Sequence, residues 1–138
     1  MRAAGAIAAC VLTLGFAGAA HADVMGIWQV PGNAFQIRIA PCGAFLCGVL
    51  LDSNRLRAEP EARDEKNKNP SMRSRLLRGI TMLQGFKGGP TSWAGGSIYL
   101  PGNGETYKAS LILNDPNTLS LKGCQGPFCK TQVFKRAK

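Results

Sequence analysis

The chain has 138 residues, with 17 lysines and arginines against 8 acidic side chains, five cysteines, one histidine and a formal net charge of +9. Met1 and Arg2 precede an Ala/Gly/Leu-rich stretch ending in "AHAD", the charged start, apolar middle and small-residue cleavage site of a secretory signal peptide. Cleavage after Ala22 removes His21, the one histidine, so the mature chain has no imidazole; this excludes Ser-His-Asp and Cys-His nucleophilic catalysis and any histidine-ligated metal.

Residues 3–20 approach the length of a membrane span, but Ala and Gly insert weakly and a cleavage site follows directly. "IAAC" at Ile7–Cys10 has the look of a lipoprotein box, with too short an apolar stretch before it. The expected organisation is a signal peptide over 1–22 and a single domain over 23–138, with no transmembrane segment in the mature chain. Losing Arg2 leaves 16 basic against 8 acidic side chains, a net +8. That balance suits an anionic envelope component such as acidic lipid or polysaccharide, and it also simply keeps a small protein soluble. Export to the periplasm removes the reason to expect nucleic acid. A monomer without cofactor is expected.

Turn signals then recur at short intervals: "PGN" at Pro31, "PCG" at Pro41, glycine pairs at Gly88 and Gly95, "PGNG" at Pro101, "NDPN" at Asn114 and "QGP" at Gln125. Between them apolar and polar residues alternate, as in Phe35, Ile37 and Ile39 against Gln36 and Arg38, or Tyr107, Ala109 and Leu111 against Lys108 and Ser110. Period-two alternation marks strands with one buried face. Eight are predicted, over 25–30, 34–40, 46–51, 80–84, 97–100, 105–113, 118–123 and 129–135, which suggests an antiparallel sandwich or barrel. Trp28, Phe35, Ile37, Tyr99, Tyr107, Leu111, Leu119 and Val133 are the expected inward residues. Between the third and fourth strands runs a polar excursion, 52–78, ending in "NPSMRSRLLRG". Asn69 as cap, Pro70 in the first turn and Gly79 as stop predict a short helix there, with the excursion covering one mouth or lying solvated.

Cys10 leaves with the leader, so five cysteines become four, spaced C-x4-C at Cys42/Cys47 and again at Cys124/Cys129. Structural zinc favours closer spacing and redox motifs use C-x2-C, so an exported chain with this pattern reads as a disulfide framework. Each pair brackets a Gly- or Pro-containing loop that suits a tight hairpin, which favours Cys42–Cys47 and Cys124–Cys129. The rival pairing sends Cys42 and Cys47 each to one of the distant pair.

The segments "GIWQV" at 26–30, "IAPCGAFLCGVLL" at 39–51, "KNPSMRSRLLRGITMLQGF" at 68–86, "GGSIYLPGNGETYKASLIL" at 95–113, "TLSLKGC" at 118–124 and "CKTQVFKR" at 129–136 resemble domain-of-unknown-function family 2147, small exported bacterial proteins. Two departures are visible: "YLPGNG" stands for the family's usual Asp-Pro-x-x-Gly turn, and Phe134 for its usual Trp. The chain is also similar to lipocalins, whose Gly-x-Trp in the first strand meets a basic residue of the last. Gly26, Trp28 and Arg136 would take those places, with a cation–π contact of ~0.5–2 kcal/mol. The resemblance implies an eight-stranded, antiparallel, lipocalin-like (calycin-type) all-β barrel, with the long loop and short helix between strands three and four.

Three function classes follow. A binding module would hold a small apolar or lipid-like ligand among Trp28, Phe35, Ile37, Tyr99 and Tyr107, with Arg73, Arg75 and Arg78 meeting an anionic head group; the same apolar residues could instead fill a core. An envelope accessory protein would dock through its basic face. An enzyme would depend on carboxylates such as Asp52, Glu59, Glu61, Asp64 and Glu105, since Ser53, Ser71 and Ser92 have no base at a recognisable spacing. Neither catalytic nor metal-ligating residues are assigned.

Overall fold

The computed structural model describes Gly5, residues 23–32 and residues 34–137. The expected leader, apart from Gly5, lies outside the described residues. Eight antiparallel strands close into a barrel in chain order: β1 (Gly26–Gln29), β2 (Phe35–Cys42), β3 (Phe45–Ser53), β4 (Thr81–Gly88), β5 (Ser92–Leu100), β6 (Glu105–Asp115), β7 (Thr118–Gln125) and β8 (Phe128–Arg136). Up-and-down connection puts the β2–β3, β4–β5 and β6–β7 turns and both strand termini at one end. The β1–β2, β5–β6 and β7–β8 turns and the long β3–β4 connection crown the other, the mouth. Closure is uneven, because β1 and β8 share only Trp28–Arg136 and Gln29–Lys135. From Phe128 to Val133, β8 pairs with β7 on one side and with no described strand on the other.

The closed end is filled. Trp28, Ile37, Ile39, Phe86, Leu111, Leu119 and Phe134 are each at most 1% exposed. Here the sequence misleads at the glycines, where β4 and β5 run longer than expected. The Gly95–Gly96 pair marks a register shift inside β5, not a turn. A Cβ on Gly96 would lie 2.5 Å from the Phe86 ring, so the missing side chain is the space that ring occupies. Val133, expected inward, is 37% exposed, and its neighbour Phe134 is buried instead. The strand is right and its phase is off by one, which exchanges the two faces.

The predicted helix over 70–78 is corrected to a single 3-10 turn, Pro70–Met72, in which the Asn69 side chain accepts from the Ser71 N–H. Beyond it the backbone runs through turns and bends pinned at one isolated bridge: the Asp64 N–H donates to Arg75 O, and Arg63 pairs with Leu76. The helix of this connection lies earlier. α1 (Asn54–Ala58) starts where Ser53 Oγ accepts from the Leu56 N–H at 3.1 Å, and buries Leu56 completely.

Both short-range disulfides are present, Cys42–Cys47 and Cys124–Cys129. They staple opposite ends of the barrel, the β2–β3 hairpin at the closed end and the β7–β8 hairpin at the mouth.

Candidate functional site

The mouth half of the barrel is hollow. The larger cavity, about 650 Å³, is bounded by Phe35, Ile98, Leu100, Tyr107, Leu121, Gly123 and Phe134 and reaches Gln125, Lys130 and Gln132 on β7 and β8. A smaller one, about 340 Å³, lies under the β3–β4 connection among Leu50, Arg55, Leu77, Met82 and Pro101. They share Phe35, Leu100 and Asn103. Phe35 meets Phe134 edge-on, with ring centroids 5.6 Å apart, and Trp28 and Ile37 are sealed in the core. The volumes fall within the range of small-molecule sites. Gly123 matters to the larger one, because a Cβ there would only touch Ile98, Leu121 and Tyr107 at 3.7–3.9 Å; the strand supplies wall without bulk.

The β3–β4 connection is fastened down by one buried carboxylate. Asp64, fully buried, accepts from Tyr99 Oη at 2.5 Å, Asn67 Nδ2 at 2.8 Å, and Arg75 through Nε and Nη2, both at 2.9 Å. Burial by itself would raise the Asp64 pKa. Donation from Tyr99, Asn67 and Arg75, together with the Arg75 charge, outweighs this and holds the group below its ordinary value. Tyr99 is pushed up to about 12, first by burial and then by its bond to the Asp64 carboxylate. Outlying ties run from Lys66 Nζ to Gly102 O and from Lys68 Nζ to Glu105, 2.9 and 2.7 Å. The connection is therefore a bolted cover over one side of the mouth, not a solvated loop.

This network reassigns several of the residues singled out in the sequence. Phe35 and Tyr107 line a cavity, whereas Tyr99 belongs to the cover. Arg75 serves Asp64, Arg73 Nε donates to Asn67 O, and Arg78 Nη1 donates to Leu51 O; none of the three lines either cavity. Nor does any of Asp52, Glu59, Glu61, Asp64 or Glu105. Among the described residues, the cations that do are Arg55 and Lys130, which sequence reasoning missed. The signal for Lys130 was in the phase of β8: with Phe134 inward, alternation turns Gln132 and Lys130 inward as well.

At the closed end, the Arg136 guanidinium lies 4.3 Å from the Trp28 ring centroid. It donates to Pro116 O and Met25 O at 2.8 Å and also to Asp23 O. Trp28 Nε1 donates to Val24 O at 2.8 Å. Gly26 adopts φ +119°, and a Cβ would lie 3.0 Å from Arg136 Nη1, so both backbone and space call for glycine. The sequence matches a family described as an uncharacterized protein conserved in bacteria (DUF2147) across residues 26–136, from β1 to the end of β8. The chain belongs to the DUF2147 family. Protein HP1028 from the human pathogen Helicobacter pylori, described as belonging to the lipocalin family, superposes with a TM-score of 0.74 at 21% identity, over 84% of each chain. That likeness establishes the lipocalin-like fold of this DUF2147 protein. No curated protein matches the sequence. Its two disulfides fit an oxidising, extracytoplasmic compartment. No helix among the described residues is long and apolar enough to cross a membrane.

Proposed function

We propose that this protein is a periplasmic, non-catalytic carrier, released from its leader after Ala22, that holds one small apolar or lipid-like molecule in the mouth-end cavity. The observation that carries the reading is the division of the barrel into a filled closed end and a hollow mouth. Eight strands leave room for packed side chains or one small ligand; here Phe86 and Trp28 fill one half, and about 650 Å³ stays open in the other. The walls are mainly apolar, and the candidate carboxylates lie elsewhere, in the cover or on the surface, which favours holding a molecule over transforming it. Burying an apolar chain there gains about 25 cal/mol per Å².

The test fills the cavity. Gly123→Leu places a side chain into the void from a position where its Cβ makes ordinary contacts. Binding of a neutral apolar fluorophore such as N-phenylnaphthylamine is expected to fall at least about tenfold, with thermal stability unchanged or raised. Wild-type protein that leaves the fluorophore dark, or a variant that binds it as before, would sink the reading. A second reading, docking on an anionic envelope surface, draws on Lys108 and Lys122, exposed on the outer face of β6 and β7. Its signature is association that weakens steeply from low to physiological salt.

A further inference from the structure

The polarity of the larger cavity is graded. Its inner wall is apolar: Ile98, Leu121 and Phe134 are at most 6% exposed. Its outer wall is the inward face of β8 and the adjoining end of β7, where Gln125, Lys130 and Gln132 are exposed. No Asp or Glu among the described residues lines it, and none of the described ion pairs involves Lys130. This cation also stands where the barrel wall is incomplete, on the stretch of β8 that has no described strand beside it on the β1 side. The Arg136 N–H donates to Asn117 O and the Ala137 N–H to Ile27 O, so odd-numbered residues of β8 address that gap. The Val133 carbonyl there accepts from its neighbour Gln132 through Nε2 at 3.0 Å. An occupant can thus keep its polar end in water beside Lys130 while its body lies against Ile98 and Leu121.

We infer that the ligand of this cavity is a single-chain amphiphile with a small oxyanion head group, which Lys130 holds at the lateral opening on the β1 side of β8. This rests on the carrier reading and specifies its ligand class. A neutral apolar molecule would lie beside the Lys130 ammonium without pairing with its charge. A cationic one would face Lys130 directly.

Displacement of N-phenylnaphthylamine from the full mature chain tests this with matched probes. Dodecanoate is expected to displace the dye at a concentration about tenfold or more below that of dodecanol, because its head gains a charge-assisted bond that the alcohol lacks. Dodecyl phosphate run alongside identifies the head: whichever anion binds tighter names the natural chemistry. Lys130→Gln should erase the preference, read as the ratio of the dodecanoate and dodecanol displacement concentrations within the same variant, and Lys130→Glu should reverse it. Lys122→Gln, on the outer face of the neighbouring strand, removes the same charge without facing the cavity and should keep the preference. Equal displacement by dodecanoate and dodecanol in the wild type, or loss of the preference in both lysine variants, would overturn the assignment to Lys130 while the carrier reading stands. Failure of the wild type to bind the dye would overturn both.

Discussion

Replacing Asp64 with Asn tests whether one buried carboxylate fastens the cover of the mouth. The amide keeps the shape of the side chain and can still accept from Tyr99, but its NH2 group then confronts Arg75 and the charge is gone. Removing one partner of a buried ion pair costs about 3–5 kcal/mol. Arg75 is 35% exposed and recovers part of its hydration, which lowers the expected loss to about 2–3 kcal/mol. For a domain of this size that is a fall of about 10 °C in Tm, readable by circular dichroism or urea titration at neutral pH. The pH dependence supplies an independent check. Asp64 titrates below its ordinary value in the folded chain, so the unfolded chain takes up the proton first on acidification. The stabilisation is whole above about pH 4 and fades as pH falls through the folded-state pKa. The gap between wild type and Asp64→Asn should therefore narrow below about pH 4. Amide exchange in residues 62–77 should accelerate in the variant more than in β6 and β7. A loss under about 0.5 kcal/mol, or a gap that stays constant into acid, would refute the argument that Asp64 is the fastening.

Tyr99→Phe should weaken the same cover. The Tyr99 pKa is raised to about 12, so the wild type loses stability as pH climbs from about 10 towards that value, and the variant should lack this alkaline slope in a melting series. Gly26→Ala forces a side chain into a left-handed backbone and against Arg136 Nη1; a loss of about 1–3 kcal/mol is expected, seen as a lowered urea midpoint. Opening either disulfide by paired Cys→Ser substitution should cost about 2 kcal/mol, the value for so short a loop. Only the Cys124/Cys129 pair, at the mouth, should also alter retention of an apolar fluorophore.

The barrel was legible because its signal is local. Alternation in "FQIRIA" and "YKASLIL" reports a buried face whatever the partner strand turns out to be, and each cysteine pair brackets its own hairpin. What escaped depends on distant partners. Gly96 reads as a turn until Phe86, ten residues away, is placed over it. Val133 and Phe134 are both apolar, so composition alone does not set the phase of β8, and Lys130 was lost with it. "NPSMRSRLLRG" carries good helix punctuation, but the polar contacts that decide its path go to Asp64 and Asn67, upstream in the chain. Arginines in a polar run look like a surface until a buried carboxylate claims one of them.

The two staples, alike in spacing, hold ends that do different work, and the difference lies in what surrounds them. At the closed end, Arg136 gathers the carbonyls of Pro116 and Met25 beneath Trp28, so the first and last strands are tied by side-chain chemistry although they share just two residue pairs. That tie lets the barrel close without a long β1–β8 ladder, and so frees the upper half of β8 from pairing with β1. At the mouth nothing comparable among the described residues bridges β8 back to β1. The Cys124–Cys129 bond fixes β8 to β7 at the tip of the hairpin, on the side where that half of the strand has a described neighbour. A wall that must stay open on one edge needs its other edge held, and the sequence answers with a covalent bond beside the cavity it helps to line.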